Sequence, residues 1–375
     1  KSADTEVRYT AAEILAAGGD SAAVKTLNPL ADGDAAAQLR FLKAAAIAPS
    51  ADLLPTLKKF LAPNTPAELL VHVYSAFAGT QDEEVRKRVE SDLQSTEMAR
   101  RAAATRALGR LLGNRALPKL NALLVDGSPL VRKLAAEAIG DLAQAESVEV
   151  LERALRDTET DVRLAVIRAL ARIHDKSVIG VASFVVYDSD PLIRKTAILA
   201  ICNVNHESAL PILRINVEDP DPEIRYNVIK ALIYLDPAQA TEHFDRALAG
   251  LKADDLVSLV ETFKEGFVPY LKRAAACERA WARTGAIRAA AGLPTAIETE
   301  FLKEVALTSA HADARKAALG RLEVLSCVDA TTVAQAVLQD RDPEARIAAV
   351  NALVNCGDNG TAPLILGALM DIEEN

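Results

Sequence analysis

DGSPLVRKLAAEAIGDL (Asp126–Leu142), DTETDVRLAVIRALARI (Asp157–Ile173), DSDPLIRKTAILAICNV (Asp188–Val204) and DPDPEIRYNVIKALIYL (Asp219–Leu235) are four variants of one phrase. Arg132, Arg163, Arg194 and Arg225 follow one another at intervals of 31 residues, and each stands six residues after an aspartate. After each arginine, apolar residues recur at helical spacing. In the second phrase these are Val162, Ala165, Val166, Ala169 and Leu170, a stripe along one side of a helix. A shorter stripe, Val148, Val150, Leu151, Ala154 and Leu155, lies upstream of Asp157. Each unit therefore reads as two helices. Pro129, Pro191 and Pro222 suit a first helical turn, where a missing N–H leaves no bond unmade, and the Asp or Ser before them suits a cap.

One such pair cannot bury its apolar face alone, whereas stacked pairs bury a continuous core. The expected fold is all-α, a right-handed α–α superhelix of about twelve two-helix repeats forming a single solenoid over residues 1–375. The arginine position is traced through Arg8, Arg40, Leu70, Arg100, Arg132, Arg163, Arg194, Arg225, Leu256, Arg283, Arg315 and Arg346. Leucine interrupts it twice. The step to Arg283 is short, so residues 263–300 are expected to be irregular or kinked. Arg8 lies so near Lys1 that the first helix of its repeat is expected to be missing, and the chain to derive from something longer. The regular Asp-to-Arg spacing predicts a ladder in which the turn aspartate of one repeat bonds the arginine of its own or a neighbouring repeat.

The D-x4-[VI]-R-x2-A pattern resembles the HEAT-repeat family, especially the short bacterial type of phycobilisome-lyase-like proteins. The resemblance implies that the arginine begins the second helix of each pair and that these helices line a concave side. It is nearly silent on function, because the fold hosts scaffolds, adaptors and a few enzymes.

Composition narrows the function. Half of the residues are hydrophobic and only 4% are aromatic, which suits close-packed helices. A net charge of −9 argues against nucleic acid as a partner. The absence of an 18-residue apolar run or a signal-like start predicts no membrane span. Cys202, Cys277, Cys327 and Cys356 form no CxxC; they are read as small buried hydrophobes and not as disulfides or ligands, which fits a cytoplasmic, reducing location. No cofactor or metal is expected. His206-Glu207 stands alone as a His-Glu pair and reads as a polar loop, Gly18-Gly19 as a helix stop, and Trp281 as a filler between helices.

Charge is uneven along the chain: residues 99–172 carry a net +4, against −4 before them and −9 after them. Positions one and five after each arginine share a helix face away from the apolar stripe. There the central repeats read Arg101, Lys133, Glu137, Arg168, Lys195, Tyr226 and Lys230, with Tyr234 a turn further. Stacking would align them into a basic, partly aromatic strip for an acidic protein segment. The expected function is a non-enzymatic scaffold or adaptor. The alternatives are a lyase-like enzyme subunit or chaperone and, less favoured, a nucleic-acid binder. A second place for a partner is the stretch around Phe267, Tyr270 and Trp281.

Overall fold

The computed structural model describes residues 3–78, 80, 82–356 and 361–366. Among these residues every regular element is helical. The chain divides into two compact units, Lys1–Val204 and Asn205–Asn375.

In the first unit the helices of the arginine layer, Ala35–Ile47, Ala67–Ala76 (with Leu70 in the arginine position), Met98–Leu112, Pro129–Leu142, Thr160–Arg172 and Pro191–Val204, pack one on the next. Shorter helices, such as Leu117–Leu123, Val148–Ala154 and Ser177–Val185, form a second layer against them. The second unit has the same plan. Its arginine-layer helices are Pro222–Leu235, Ala253–Phe263, Ala280–Ala290, Ala312–Leu325 and Pro343–Cys356. Residues 263–300, expected to be irregular, are mostly helical: a 3-10 turn at Lys264–Phe267, then Val268–Ala276, Ala280–Ala290 and the start of Thr295–Thr308.

The apolar stripes are the core. Val162, Ala165, Val166, Ala169 and Leu170 are all at most 4% exposed. Leu70 and Leu256, which interrupt the arginine series, are fully buried. Small residues set the closest approach between layers. A Cβ on Gly140 would fall 2.7 Å from Ala169 Cα, so Pro129–Leu142 and Thr160–Arg172 meet there with no room for a side chain. Gly18 and Gly19 end the first helix as read, Gly19 adopting a φ of +91°.

The turn before each arginine helix uses two residues for two tasks. Asp190, Asp221 and Asp342 cap their helices, each accepting a backbone N–H at 2.8–2.9 Å from the residue two further on. Ser128 sits at the same position but makes no side-chain cap bond. The other aspartate, two residues earlier, is free to bind the arginine.

Candidate functional site

The ladder exists, and it runs between repeats. Arg132 donates from Nε and Nη2 to both carboxylate oxygens of Asp157 at 2.6 and 2.9 Å, while its Nη1 donates to the Asp126 carbonyl at 2.9 Å. The guanidinium thus holds its own turn by the main chain and the next repeat by the side chain. Arg163 repeats this with the Asp157 carbonyl at 3.1 Å and the Asp188 carboxylate at 3.5 Å. In the second unit, Arg315 reaches Asp340 at 2.6 Å twice and the Ser309 carbonyl at 2.7 Å. Each aspartate also accepts the N–H two residues on: Ser128 to Asp126 at 2.8 Å and Glu159 to Asp157 at 2.9 Å. The six-residue spacing follows, because the aspartate carbonyl faces the arginine of the following first turn.

Two rungs are rebuilt. Gly250 stands where the next aspartate should be, 25 residues after Arg225, and Arg225 donates instead to the Gly250 carbonyl. Arg283, the arginine of the short step, is only 7% exposed; it binds Asp313 at 2.6–3.0 Å and the Cys277 carbonyl at 2.9 Å.

These contacts move titrations. Hydrogen bonding from Arg132 holds the Asp157 carboxyl below its usual range, against the upward push of burial and with help from the Glu159 N–H. At Asp126 burial pushes upward, but the bonds from Arg101 and the Ser128 N–H outweigh it and the carboxyl again lies low. The Arg132 and Arg101 guanidinium groups are raised by the same carboxylates.

The ladder corrects the register of the expected strip. Arg101, not Arg100, is the rung: it donates to Asp126 at 2.9 and 3.1 Å and to the Ser95 carbonyl at 2.9 Å. Arg101 is therefore built into the frame and is not on a free face. Arg100 turns instead to Glu97 at 2.8 Å and to the Thr65 carbonyl at 2.7 Å. With Arg101 as the reference, the outward positions on Met98–Leu112 become Arg106 and Arg110, which sequence reasoning missed. Both are exposed and make no ion pair or side-chain hydrogen bond among the described residues.

The other expected strip residues divide. Arg168 is exposed and unpaired among the described residues. Lys133 is half-buried and reaches Asp161 at 3.3 Å. Lys195 is half-buried. Between Arg106 and Arg168 lie Glu137 and Asp141 of the intervening helix, and Asp141 is taken by Arg172. The face is therefore a mixture of charges, with Arg106, Arg110 and Arg168 left uncompensated against Glu137. In the second unit Lys230 is half-buried and Tyr234 is 65% exposed. Tyr226 is half-buried; burial raises its phenol, opposed by hydrogen bonds with Thr262 and Ser258 of the adjacent helix.

The alternative stretch does not present a surface. Phe267 is fully buried and Tyr270 is 8% exposed, and both pack on Phe244 with ring centres 5.6 and 5.4 Å away. Trp281 is half-buried, as a filler would be. A cleft of about 400 Å³ lies on the short-helix side of the first unit. Leu124, Val125 and Val150 line it beside Arg153 and Arg156. Among the described residues no group of three metal-ligating side chains occurs, and no helix is long and apolar enough to cross a membrane. His206 bonds Ser208 at 2.8 Å in its turn.

The cysteines need correction. Cys327 and Cys356, read as unpaired, form a disulfide with Cα atoms 4.8 Å apart. The reading of a reducing compartment loses that support. Cys202 is a half-buried free thiol, its pKa pushed up to about 12 by desolvation.

The solved structures that resemble the chain include an engineered protein (20% identity, 96% of this chain and 97% of that one, TM-score 0.39). The CpcE–CpcF complex of phycocyanin lyase from Nostoc sp. PCC7120 also resembles it (16% identity, 79% and 96%, TM-score 0.34). So does Kap95p, solved with RanGDP (13% identity, 98% of this chain but 62% of that one, TM-score 0.48). No curated protein matches the sequence. A profile of HEAT repeats matches residues 120–183 and 180–257. The chain is an all-α repeat protein, and its residues 120–257 are HEAT repeats.

Proposed function

We propose that this chain is a non-catalytic scaffold that holds an acidic segment of a protein partner on the outward face of its arginine-layer helices. The observation that carries the reading is the sorting of arginines in the first unit. Arg101, Arg132 and Arg163 are consumed by aspartates of the next repeat. Arg106 and Arg110 on Met98–Leu112 and Arg168 on Thr160–Arg172 are exposed with no partner among the described residues. Unpaired guanidinium groups are suited to bidentate capture of carboxylates, and arginine and tyrosine are the residue types most often decisive at interfaces. Lys133 and Lys195 remain in the proposed surface of the first unit on the same positions of their helices. Arg101 does not.

The test is a triple charge reversal, Arg106→Glu, Arg110→Glu and Arg168→Glu. The intact parent chain is used to capture partners, which are identified by mass spectrometry. Association of a captured protein is then timed at low and high salt. The variant is expected to associate about tenfold more slowly at low salt and to approach the parent at high salt, because steering between exposed charges is screened. Equal rates at low salt, with helical circular dichroism unchanged, would remove these arginines from the interface.

A further inference from the structure

We propose that Cys327–Cys356 is a thiol-exchangeable tie that controls how firmly the helix Pro343–Cys356 is held to its neighbour. The helices Ala312–Leu325 and Pro343–Cys356 are adjacent members of the arginine layer. At their starts they are joined by the rung from Arg315 to Asp340. At the far end of Pro343–Cys356 the disulfide joins its last residue, Cys356, to Cys327, the first residue of the helix Cys327–Val337 that follows Ala312–Leu325. Pro343–Cys356 is therefore tied near both ends, by an ion pair to Ala312–Leu325 at its start and by a covalent bond to Cys327–Val337 at its end.

In the first unit the far ends of two arginine-layer helices are joined noncovalently. There Arg172, at the end of Thr160–Arg172, pairs with Asp141 at the end of Pro129–Leu142. Among the described residues the disulfide is the single covalent tie in the repeat array. It is also open to attack. Cys327 is exposed, and the neighbouring Val324 and Val328 are 74% and 78% exposed. The other cysteines do not share this arrangement: Cys202 and Cys277 are both unpaired and half-buried.

The tie borders a feature that could respond to it. A cleft of about 540 Å³ runs between Ala312–Leu325 and Pro343–Cys356, with Lys316, Gly320, Ile347 and Asn351 on its walls. These are the positions one and five after Arg315 and Arg346, the outward face of this layer. Asn355 also donates to Glu323 at 3.1 Å across the disulfide end of the cleft. With the bond broken, that end is held only by this hydrogen bond and by packing.

The chemistry balances with a monothiol of the glutathione class. A thiolate attacks the exposed Cys327 sulfur, the S–S bond breaks, and Cys356 leaves as a thiolate that takes a proton from water. A second thiol attacks the mixed disulfide, giving Cys327 as a thiol and the oxidised reagent. Two electrons pass from the small thiols to the protein, and oxidised glutathione reverses the sequence.

The experiment uses the full chain in oxidised and in reduced glutathione buffers. Peptide mass spectrometry after differential alkylation reads the bond, and amide hydrogen exchange reads the helix. The proposal expects a linked Cys327–Cys356 peptide in the oxidised buffer and separate alkylation in the reduced one. Exchange in 343–356 should then accelerate tenfold or more on reduction, while exchange in 160–172 stays constant. Cys327→Ser and Cys356→Ser chains should exchange like the reduced parent in both buffers. Separate alkylation in the oxidised buffer, or a linked peptide that survives reduced glutathione, overturns it. So does a bond that opens without changing exchange in 343–356.

Discussion

Asp157 shows how much one residue does in this fold. Its carboxylate takes Arg132 of the preceding repeat and the N–H of Glu159, while its carbonyl takes Arg163 of its own repeat. Its pKa is depressed by Arg132 first, and by the Glu159 N–H, against the effect of burial. The linkage sign follows. A carboxyl that titrates lower when folded than when unfolded stabilises the fold above the unfolded value, about pH 4, and that stability is lost as pH falls through the folded value. The urea midpoint of the parent should therefore drop as pH is lowered from 5 to 3. Asp157→Asn should show a shallower drop over the same range, together with a lower midpoint at pH 7. Identical slopes would mean that Asp157 is not held low by its partners. At this scale the sequence was legible only in part. The six-residue spacing announced the ladder, but the choice between Arg100 and Arg101 turned on the distance to the next aspartate. Arg101 to Asp126 is 25 residues, as Arg132 to Asp157 is, and Arg100 misses by one. The disulfide left no such trace, since its cysteines stand twelve and ten residues after their arginines and share no motif.

The helix is the next scale, and here small residues decide. Pro129–Leu142 meets Thr160–Arg172 so closely that a Cβ at Gly140 would sit 2.8 Å from Ala169 Cβ. The obstacle is backbone and a methyl group, neither of which can swing aside. Gly140→Ala should cost about 1–3 kcal/mol through forced separation of the helices, despite the better helix propensity of alanine. Gly180 is the control. It lies within Ser177–Val185, and a methyl added there would meet nothing within 4 Å, so Gly180→Ala should be neutral or stabilising by up to about 1 kcal/mol. Chemical denaturation of the two variants checks both; equal effects would show that the contact at Ala169 is not tight. The helices and their buried stripes were readable from periodicity, because burial imposes the 3.6-residue repeat directly. Residues 263–300 were harder to read, because Pro269 and Pro294 stand at helix starts, Gly266 lies in a 3-10 turn, and Gly285 sits inside Ala280–Ala290 where Ala253 packs close.

At the scale of the whole chain, the acidic total conceals a division of labour among its cations. In residues 99–172 the net charge is +4, yet many of those arginines are internal fastenings. The sequence showed the basic stretch and the alignment of repeats. It did not show the acid–base alternation along the face, because Arg172–Asp141 and Lys133–Asp161 are contacts between repeats and not within one helix. What distinguishes a frame arginine from a surface arginine is therefore its phase relative to the next aspartate, and this is the central claim. It is tested most directly by urea denaturation of Arg132→Ala beside Arg168→Ala. Arg132→Ala leaves a half-buried carboxylate and a turn carbonyl without their donor and should lose about 1–3 kcal/mol. Arg168→Ala removes an exposed, unpaired side chain and should stay within about 0.5 kcal/mol of the parent. Equal midpoints for the two variants would contradict the separation of frame from surface.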